Sequence, residues 1–263
     1  MIRALLISFL LLPTIVLADQ HTIRLAIATS IENSGLLKHL LNSFNSDKKY
    51  NIDLQVVGSG KALRLGRSGD VDLIWVHSPQ AEQKFINDGH SLEYQTVMKN
   101  NFVIIGPKND PAKITQAKNV IEAFKRIAKQ ESTFFSRGDD SGTHKKEIAL
   151  WSKTNINPIG EDWYIETGSG MAQTIQDAQS ENAYMLCDQA TFLVKENNKL
   201  TTLLKDSVNL FNPYSIILIK NKSTQNQKAS RLLYEWLTSE KGRAEIENFK
   251  YNGHQLFSPI TIN

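Results

Sequence analysis

Cysteine is nearly absent from this sequence, since Cys187 is the single cysteine in 263 residues. An intramolecular disulfide is therefore excluded. We expect Cys187 to be buried as a small apolar residue, because it ends the strand-like apolar run 183–187. A large excess of one charge is absent too: 30 lysines and arginines stand against 27 acidic residues, which gives a net charge of +3. This balance argues against nucleic acid or an acidic membrane surface as a partner.

Long apolar runs are lacking after the first residues of the chain. Residues 1–18 have the pattern of a secretory signal peptide, with the positive Arg3, a mainly apolar stretch over 4–16, and a small-x-small cleavage site that ends at Ala18. An uncleaved membrane anchor is the alternative, but the apolar stretch is shorter than the ~20 residues of a membrane span. We therefore expect cleavage after Ala18 and a periplasmic location.

Signatures of catalysis and of metal binding are also missing. The six histidines are scattered and show no paired metal-ligand spacing. Segment 58–61 has the letters of a nucleotide P-loop, but Gln55 stands where that motif needs glycine and Ala62 where it needs a hydroxyl residue. Residues 140–144 contain the side-chain types of a hydrolase triad, yet they lie too close in sequence, and no Gly-x-Ser-x-Gly elbow precedes a helix. The sequence predicts a protein that is not an enzyme.

Strand and helix patterns alternate along the chain, which predicts an α/β fold. Strands are predicted at 22–28, 52–57, 71–76, 102–106, 133–136, 184–187 and 214–220. Helices are predicted at 35–44, 62–65, 81–88, 117–129, 145–153, 170–179, 227–237 and 241–250. The order strand–helix–strand–helix favours a mostly parallel sheet.

Segment 134–147 is the most informative in the sequence. A strand ends at two phenylalanines, Arg137 follows, and a turn rich in Gly, Asp and Ser leads into a helix. Ser141 and Thr143 fall at the helix start, where backbone N–H groups lack partners and the macrodipole favours an anion. Arg137 can add a bidentate cationic fork. The segment indicates a small-oxyanion site, with an ordinary capped helix beside a surface arginine as the alternative.

Three further loops have similar chemistry at the ends of predicted strands. They are 28–35, 57–61 and 167–171, and they are rich in Ser, Thr and Gly with Glu32 as their single carboxylate. Each loop alone is typical of a turn followed by a helix cap. Ligands in α/β sheets bind beyond the carboxyl ends of the strands, so four such loops together favour one shared anion site.

With these loops the sequence resembles a known family, the periplasmic tungstate-binding proteins (TupA-type) of ABC importers. The segment with the most specific match runs from Ser136 to Glu147. The other matching stretches are 28–37, 58–63, 69–73, 76–79, 101–107 and 162–171. One departure lies in the first loop, where Ile27 and Ala28 replace two hydroxyl residues of the family pattern.

The resemblance implies a two-lobed periplasmic-binding-protein fold of type II, in which each lobe is a mostly parallel sheet flanked by helices. It implies a first lobe over 19–101 and 214–263, a second lobe over 102–213, and two crossing strands near Phe102 and Tyr214 as the hinge. The anion would bind in the cleft. The residues that the resemblance assigns to it are Thr29, Ser30 and Ser59 from the first lobe, and Arg137, Ser141, Thr143 and Ser169 from the second.

The implied ligand is tungstate, with molybdate and then phosphate or sulfate as alternatives. No cofactor is implied. The expected partner is the membrane permease of an ABC importer, and the binding protein is expected to be a monomer. A deprotonated tetrahedral oxyanion offers only acceptors, so its site should consist of donors. Asp139 and Asp140 would repel such an ion, and we expect at least one of them to brace Arg137 or the turn instead. A secreted hydrolase and a sensory or adhesion module are the remaining alternatives.

Overall fold

The structure, a computed structural model, describes residues 21–47, 49–195, 199–220 and 224–260. The predicted signal peptide, residues 1–18, lies outside the described residues. Within the described residues, no helix is both long and apolar enough to cross a membrane. Cys187 is buried and free, as expected.

Strands and helices alternate as predicted. Among the described residues the strands are β1 (His21–Ala28), β2 (Tyr50–Val57), β3 (Leu73–Val76), β4 (Ser91–Gly106), β5 (Phe134–Ser136), β6 (Tyr164–Glu166), β7 (Met185–Asp188), β8 (Thr201–Leu204), β9 (Phe211–Ile219), β10 (Lys250–Tyr251), β11 (His254–Gln255) and β12 (Ser258–Pro259). The α-helices are α1 (Thr29–Asn33), α2 (Leu36–Phe44), α3 (Ser59–Ser68), α4 (Pro79–Asn87), α5 (Val120–Lys129), α6 (Gly142–Thr154), α7 (Met171–Ser180), α8 (Gln189–Val194), α9 (Thr224–Thr238) and α10 (Glu240–Asn248). The short elements α1, β6, α8, β8 and β10 to β12 were not predicted.

The main sheet is mixed. Its strand order is β12-β4-β9-β3-β1-β2, and β7 and β8 also pair with β4. Strand β1 pairs in parallel with β2 and β3, whereas β9 is antiparallel to both β3 and β4. The expectation of mostly parallel sheets therefore holds for β1 to β3 and for the separate pair of β5 and β6. The reason is that β4 leaves the first lobe and β9 returns to it, so two adjacent crossing strands must run in opposite directions.

Strand β4 belongs to both lobes. From Ser91 to Asn101 it pairs with β9, and from Phe102 to Ile105 it pairs with β7. At the change of partner, the Phe102 N–H donates to the Leu210 carbonyl at 2.7 Å. This arrangement confirms the two predicted crossing strands.

Each lobe has an apolar core on both faces of its sheet. Successive side chains of a strand point to opposite faces, and β1 shows this: Leu25 packs with α2, α9 and α10, while Ala26 packs with α3 and α4. In the second lobe Ile104 packs with α5 and α6, while Val103 packs with α7. Helix α8 contacts both lobes, since its Ala190 belongs to a core of the first lobe and its Phe192 to a core of the second.

Candidate functional site

The four predicted loops each join the carboxyl end of a strand to the start of a helix: α1 follows β1, α3 follows β2, α6 follows β5 and α7 follows β6. The starts of α3 and α6 are in contact across the cleft. A Cβ built on Gly58 would lie 3.5 Å from the Ser141 Cα. Loop 57–61 and the turn before α6, which are far apart in sequence, therefore meet in the fold. That all four loops share one anion site stays a prediction.

Thr143, in the first turn of α6, carries the clearest sign of a ligand. Its side chain is buried, with 1% of its surface exposed. Its Oγ1 has no hydrogen-bond partner in the part of the chain that the structure describes. A buried hydroxyl without a partner costs about 1–3 kcal/mol, and an acceptor bound in the cleft would remove that cost.

Ser141 is the N-cap of the same helix. Its Oγ accepts a hydrogen bond from the His144 N–H at 3.3 Å, and its own N–H donates to Asp139 Oδ1 at 3.2 Å. These bonds fix the turn before α6 and leave the hydroxyl proton of Ser141 for a further acceptor. The cap therefore serves the helix and can donate to an anion as well.

Arg137 is buried between two partners. Its Nη2 donates to the Asp139 carboxylate, and its Nε donates to the Ser169 carbonyl at 3.3 Å. No hydrogen bond from Nη1 is present within the described residues. The expectation that an aspartate braces Arg137 is confirmed. The guanidinium is thus held in one orientation, with Nη1 still able to donate.

Asp140 is also paired with cations. Its carboxylate accepts from Lys145 Nζ at 2.5 Å and from Arg64 Nη1 at 2.8 Å. Partial burial is the largest single influence on the pKa of Asp140 and raises it, but the hydrogen bonds and charges of Lys145 and Arg64 together outweigh burial and hold the pKa below its usual range. Because Arg64 lies on α3, this pair also joins the two lobes at the cleft edge. Neither aspartate of the turn is left as an uncompensated charge.

Ser59 and His77 form the first-lobe wall of the site. Ser59 is fully buried, and its Oγ accepts from the His77 backbone N–H at 3.3 Å. The His77 ring stacks on Tyr214, with centroids 4.7 Å apart. Burial lowers the pKa of His77, so the ring is neutral near pH 7. These contacts indicate a structural role for His77.

Ser30 and Thr29 lie in the first turn of α1. Ser30 Oγ is 2.9 Å from the Tyr214 hydroxyl, which itself donates to Asp188 Oδ2 at 2.7 Å. The Ser30 proton is therefore directed at Tyr214, and the backbone N–H is the donor that Ser30 could offer an anion. Thr29 is half-buried, and its hydroxyl makes no hydrogen bond to the residues described.

Ser169 precedes α7 and lies beside Arg137. Its Oγ donates to the Thr167 carbonyl at 3.2 Å, and its N–H donates to Thr167 Oγ1 at 3.2 Å. Its own carbonyl accepts from Arg137 Nε. The Ser169 carbonyl therefore helps to position Arg137, while the Ser169 hydroxyl points toward its own loop.

A buried polar network behind Ser30 and His77 was not found from the sequence. Asp188 Oδ2 accepts from Asn100 Nδ2 at 2.8 Å, Asn212 Nδ2 at 3.0 Å and Tyr214. Asn212 Oδ1 lies 2.9 Å from His77 Nδ1. Since Asn212 Nδ2 donates elsewhere, Oδ1 must accept, and the His77 proton is on Nδ1. The available signal was an asparagine pair at the start of the otherwise apolar buried stretch of β4.

The cluster has the chemistry of an anion site and lacks that of a hydrolase. Ser141 Oγ bonds the backbone of His144, and Ser59 Oγ bonds the backbone of His77, so neither hydroxyl meets an imidazole. No group of three or more His, Cys, Asp or Glu that could hold a metal ion exists in the described ranges. What converges is a set of donors: hydroxyls, helix N-termini and one arginine, with both nearby aspartates already paired.

The chain crosses twice between two lobes, and hydrogen-bond donors are buried between them. This arrangement defines a binding-protein fold of the PBP superfamily. The domain of that superfamily matches residues 18–241. The chain belongs to this superfamily and, within it, to the TupA family. It is 39% identical over 246 residues to the tungstate-binding protein TupA of Peptoclostridium acidaminophilum, an alignment that covers 90% of this chain and 85% of that protein.

Solved structures agree with this assignment. The tungstate ABC transporter structure from Geobacter sulfurreducens is 39% identical, covers 87% of this chain and 98% of its own, and superposes with a TM-score of 0.78. The tungstate-binding protein TupA from Desulfovibrio alaskensis G20 is 36% identical, covers 92% of this chain and 99% of its own, and superposes with a TM-score of 0.77.

Proposed function

We propose that this chain is the substrate-binding protein of an ABC importer and that it captures tungstate in the cleft between its lobes. The observation that carries the proposal is the buried Thr143 hydroxyl without a partner in the described residues, placed near Arg137 at the start of α6. The names of its relatives, which are tungstate-binding proteins and a tungstate ABC transporter, support the same ligand. Molybdate, which is nearly isosteric, is the alternative ligand.

The charges around the site favour a fully deprotonated oxyanion. Protonated phosphate can donate a hydrogen bond to a carboxylate, and such a site needs a free carboxylate as acceptor. Asp139 is bonded to Arg137, and Asp140 is bonded to Lys145 and Arg64. Tungstate is therefore expected to bind more tightly than phosphate. Sulfate shares the all-acceptor chemistry of tungstate, so size alone would distinguish it.

Capture works by closure of the lobes around the anion. The proposed donors are Thr29, Ser30 and Ser59 from the first lobe, and Arg137, Ser141, Thr143 and Ser169 from the second. A ligand that forms hydrogen bonds to both lobes binds the closed form more tightly than the open form. The difference between these two binding free energies is the amount by which the ligand favours closure. The proposed lobe boundaries are 19–101 and 214–263 for the first lobe and 102–213 for the second. The separate apolar cores support this division, with α8 at the boundary.

The remaining parts of the proposal follow from transport. The mature chain would begin after Ala18, act in the periplasm as a monomer, require no cofactor, carry out no catalysis and deliver its anion to a membrane permease. Calorimetric titration of anion-stripped protein with tungstate, molybdate, sulfate and phosphate tests the ligand. Tungstate should bind most tightly, followed by molybdate. Equal affinity for phosphate or sulfate would contradict the proposal.

A further inference from the structure

A second feature of the cleft lies beside His77, next to the proposed oxyanion donors. It is a cavity of about 260 Å³ between α6 of the second lobe and residues 78–80 of the first, and residues of the crossing strands β4 and β9 also line it. His77 and Gly142 line it, but Ser59, Arg137 and Thr143 do not. The cavity is therefore a neighbour of the donor cluster with a wall of its own.

Lysines from one helix form the second-lobe wall. Lys146, Ala149 and Lys153 line the cavity, and their spacing places them on one face of α6. Lys145 also lines it but is bonded to Asp140. Lys146 and Lys153 form no ion pair with any residue in the described ranges. Lys146 Nζ donates to the Phe211 carbonyl at 3.4 Å, a long hydrogen bond to a neutral group.

The Lys146 ammonium group is held where a positive charge is unfavourable. Burial lowers the pKa of Lys146, and the charge of Lys153 lowers it further, while the charge of Asp206 opposes both effects only in part. The described residues that line the cavity include no carboxylate. An anion between the two lysines would relieve both the loss of solvent and the repulsion.

The first-lobe wall adds a helix N-terminus. Pro79 and Gln80 begin α4, a helix of nine residues, and its N-cap Ser78 makes no side-chain capping bond. Pro79 has no N–H, and the Ser78 N–H donates to Glu82 Oε1. The Gln80 N–H is therefore the first-turn donor that lines the cavity, and the helix macrodipole adds to its positive character. Phe102 and Phe211 supply apolar surface between the two walls. Lysines of the second lobe and a helix-start N–H of the first therefore face one small space that also has an apolar side.

We propose that this cavity is a second anion site, which holds a small anion of charge −2 or more between Lys146 and Lys153 on one side and the start of α4 on the other. The shared chemistry is that of inorganic oxyanions and of short di- or tricarboxylates. Because the cavity touches both lobes, its occupant stabilises their contact. The site is independent of the identity of the anion bound by Arg137 and Thr143.

The test is a titration with sulfate, phosphate, malonate and citrate, one at a time, monitored by calorimetry. It is carried out on protein saturated with tungstate and, separately, on Arg137→Ala protein without tungstate. One added anion per chain should bind in both preparations. The inorganic and carboxylate arms distinguish the two sources of ligand. If tungstate does not bind this protein, the titration of Arg137→Ala protein without tungstate still shows whether the second site binds an anion.

Matched variants separate a site from diffuse charge. The double variant Lys146→Gln/Lys153→Gln should weaken the added anion about tenfold or more, since two charge-assisted hydrogen bonds are lost. Lys153 is exposed and Lys146 half-buried. Lys38→Gln/Lys241→Gln removes the same charge from exposed positions that do not line the cavity and should leave affinity within about twofold. Thermal melting without anion should show that Lys146→Gln/Lys153→Gln is folded and no less stable. No added binding, or equal weakening in both double variants, would overturn the proposal.

Discussion

Gly142 and His77 are in contact across the cleft, and the contact has no room for a side chain. A Cβ built on Gly142 would lie 2.6 Å from the His77 carbonyl oxygen and 2.8 Å from its Nε2. Gly142 starts α6 in the second lobe, and His77 follows β3 in the first. A side chain at position 142 would therefore keep the two lobes from approaching as closely as they do here.

We predict that Gly142→Ala weakens tungstate binding by about tenfold or more, because the methyl group would hold the lobes apart. Alanine is a better helix former than glycine by about 1 kcal/mol, so the variant should be at least as stable without ligand. Small-angle scattering should show less compaction on adding tungstate than in the parent protein. Gly170→Ala is the control, since it adds a methyl group where nothing described lies within 4 Å.

Thr143→Ala should lower tungstate affinity with little effect on the ligand-free protein. The variant removes a donor that has no partner in the described protein, and hydrogen bonds to charged groups contribute about 1.5–3 kcal/mol. Calorimetry and melting on one preparation measure both effects. Thr154→Ala is the matched control in the same helix, because its hydroxyl bonds the Trp151 carbonyl at 2.6 Å. Unchanged affinity in Thr143→Ala would remove this hydroxyl from the site.

Arg137→Ala should lower oxyanion affinity by roughly 2–5 kcal/mol, the cost of truncating one partner of a buried charged pair. Arg137→Lys should recover part of it, since it restores the charge without the planar fork. The competing interpretation is that Arg137 only braces Asp139 and Ser169. In that case the melting temperature of the ligand-free protein would fall and affinity would not. Arg126→Ala, which removes an equal charge from a helix surface pair, controls for net charge.

Glu147 makes stability depend on pH. It lies on α6 and accepts from the Tyr164 hydroxyl at 2.6 Å and from Trp151 Nε1 at 3.2 Å. Its pKa is raised from the ordinary 4.5 to about 7, because burial and, to a smaller extent, the charge of Glu166 outweigh the hydrogen bonds that lower it. The folded chain therefore binds this proton more tightly than the unfolded chain. Its contribution is complete below about pH 4.5 and is lost as pH rises toward 7.

We expect Glu147→Gln to remove that part of the pH dependence, which corresponds to roughly 3 kcal/mol. Urea unfolding, followed by tryptophan fluorescence between about pH 4 and pH 8, measures the slope. Glu82, whose pKa burial also raises to about 7, contributes a similar slope from the first lobe. The Glu147→Gln protein should keep the slope from Glu82. A double variant with Glu82→Gln should show the opposite slope of His77, whose lowered pKa makes stability rise with pH up to about 6.5. A slope that is the same in Glu147→Gln and parent would contradict this assignment.

Arg64→Ala should speed release of the anion by about fivefold at most. The Arg64–Asp140 pair joins the lobes at 2.8 Å, and both side chains are at least half exposed. Exposed pairs contribute about 0.2–1 kcal/mol and are screened by salt. Stopped-flow dissociation at low and high ionic strength should show a difference from the parent at low salt alone. Lys84→Ala, which breaks a pair within the first lobe, should have no effect on release.

The local parts of the site could be predicted, and the long-range parts could not. Residues 136–147 contain the arginine, its aspartate partner, the cap and the helix start in one segment, so the brace between Asp139 and Arg137 and the cap at Ser141 could be predicted locally. The polar network depends on Asn100, Asp188 and Asn212, which are distant in sequence and meet only in the fold. Likewise, no local pattern states that β9 runs antiparallel to β3, because strand direction depends on where the preceding lobe ends.

The direction of the Ser30 hydroxyl illustrates the same limit. Its place after β1 was predicted, but the proton's destination depends on Tyr214, which is 184 positions away. The residue type identified Ser30 as a hydrogen-bond donor, and the sequence pattern placed it at the end of a strand. The partner that takes this proton, Tyr214, was available only from the structure.

Strand β4 runs without interruption for 16 residues, and its backbone exchanges one set of partners for another between Asn101 and Phe102. No slack segment separates the lobes at that crossing. Lobes joined by such a continuous strand can bend relative to each other about one axis. Sliding or independent rotation of the lobes would break the hydrogen bonds between β4 and its partner strands. One coordinate therefore describes opening, and a pair of spectroscopic labels at the rim, near Arg64 and Asp140, would follow the whole motion with one distance.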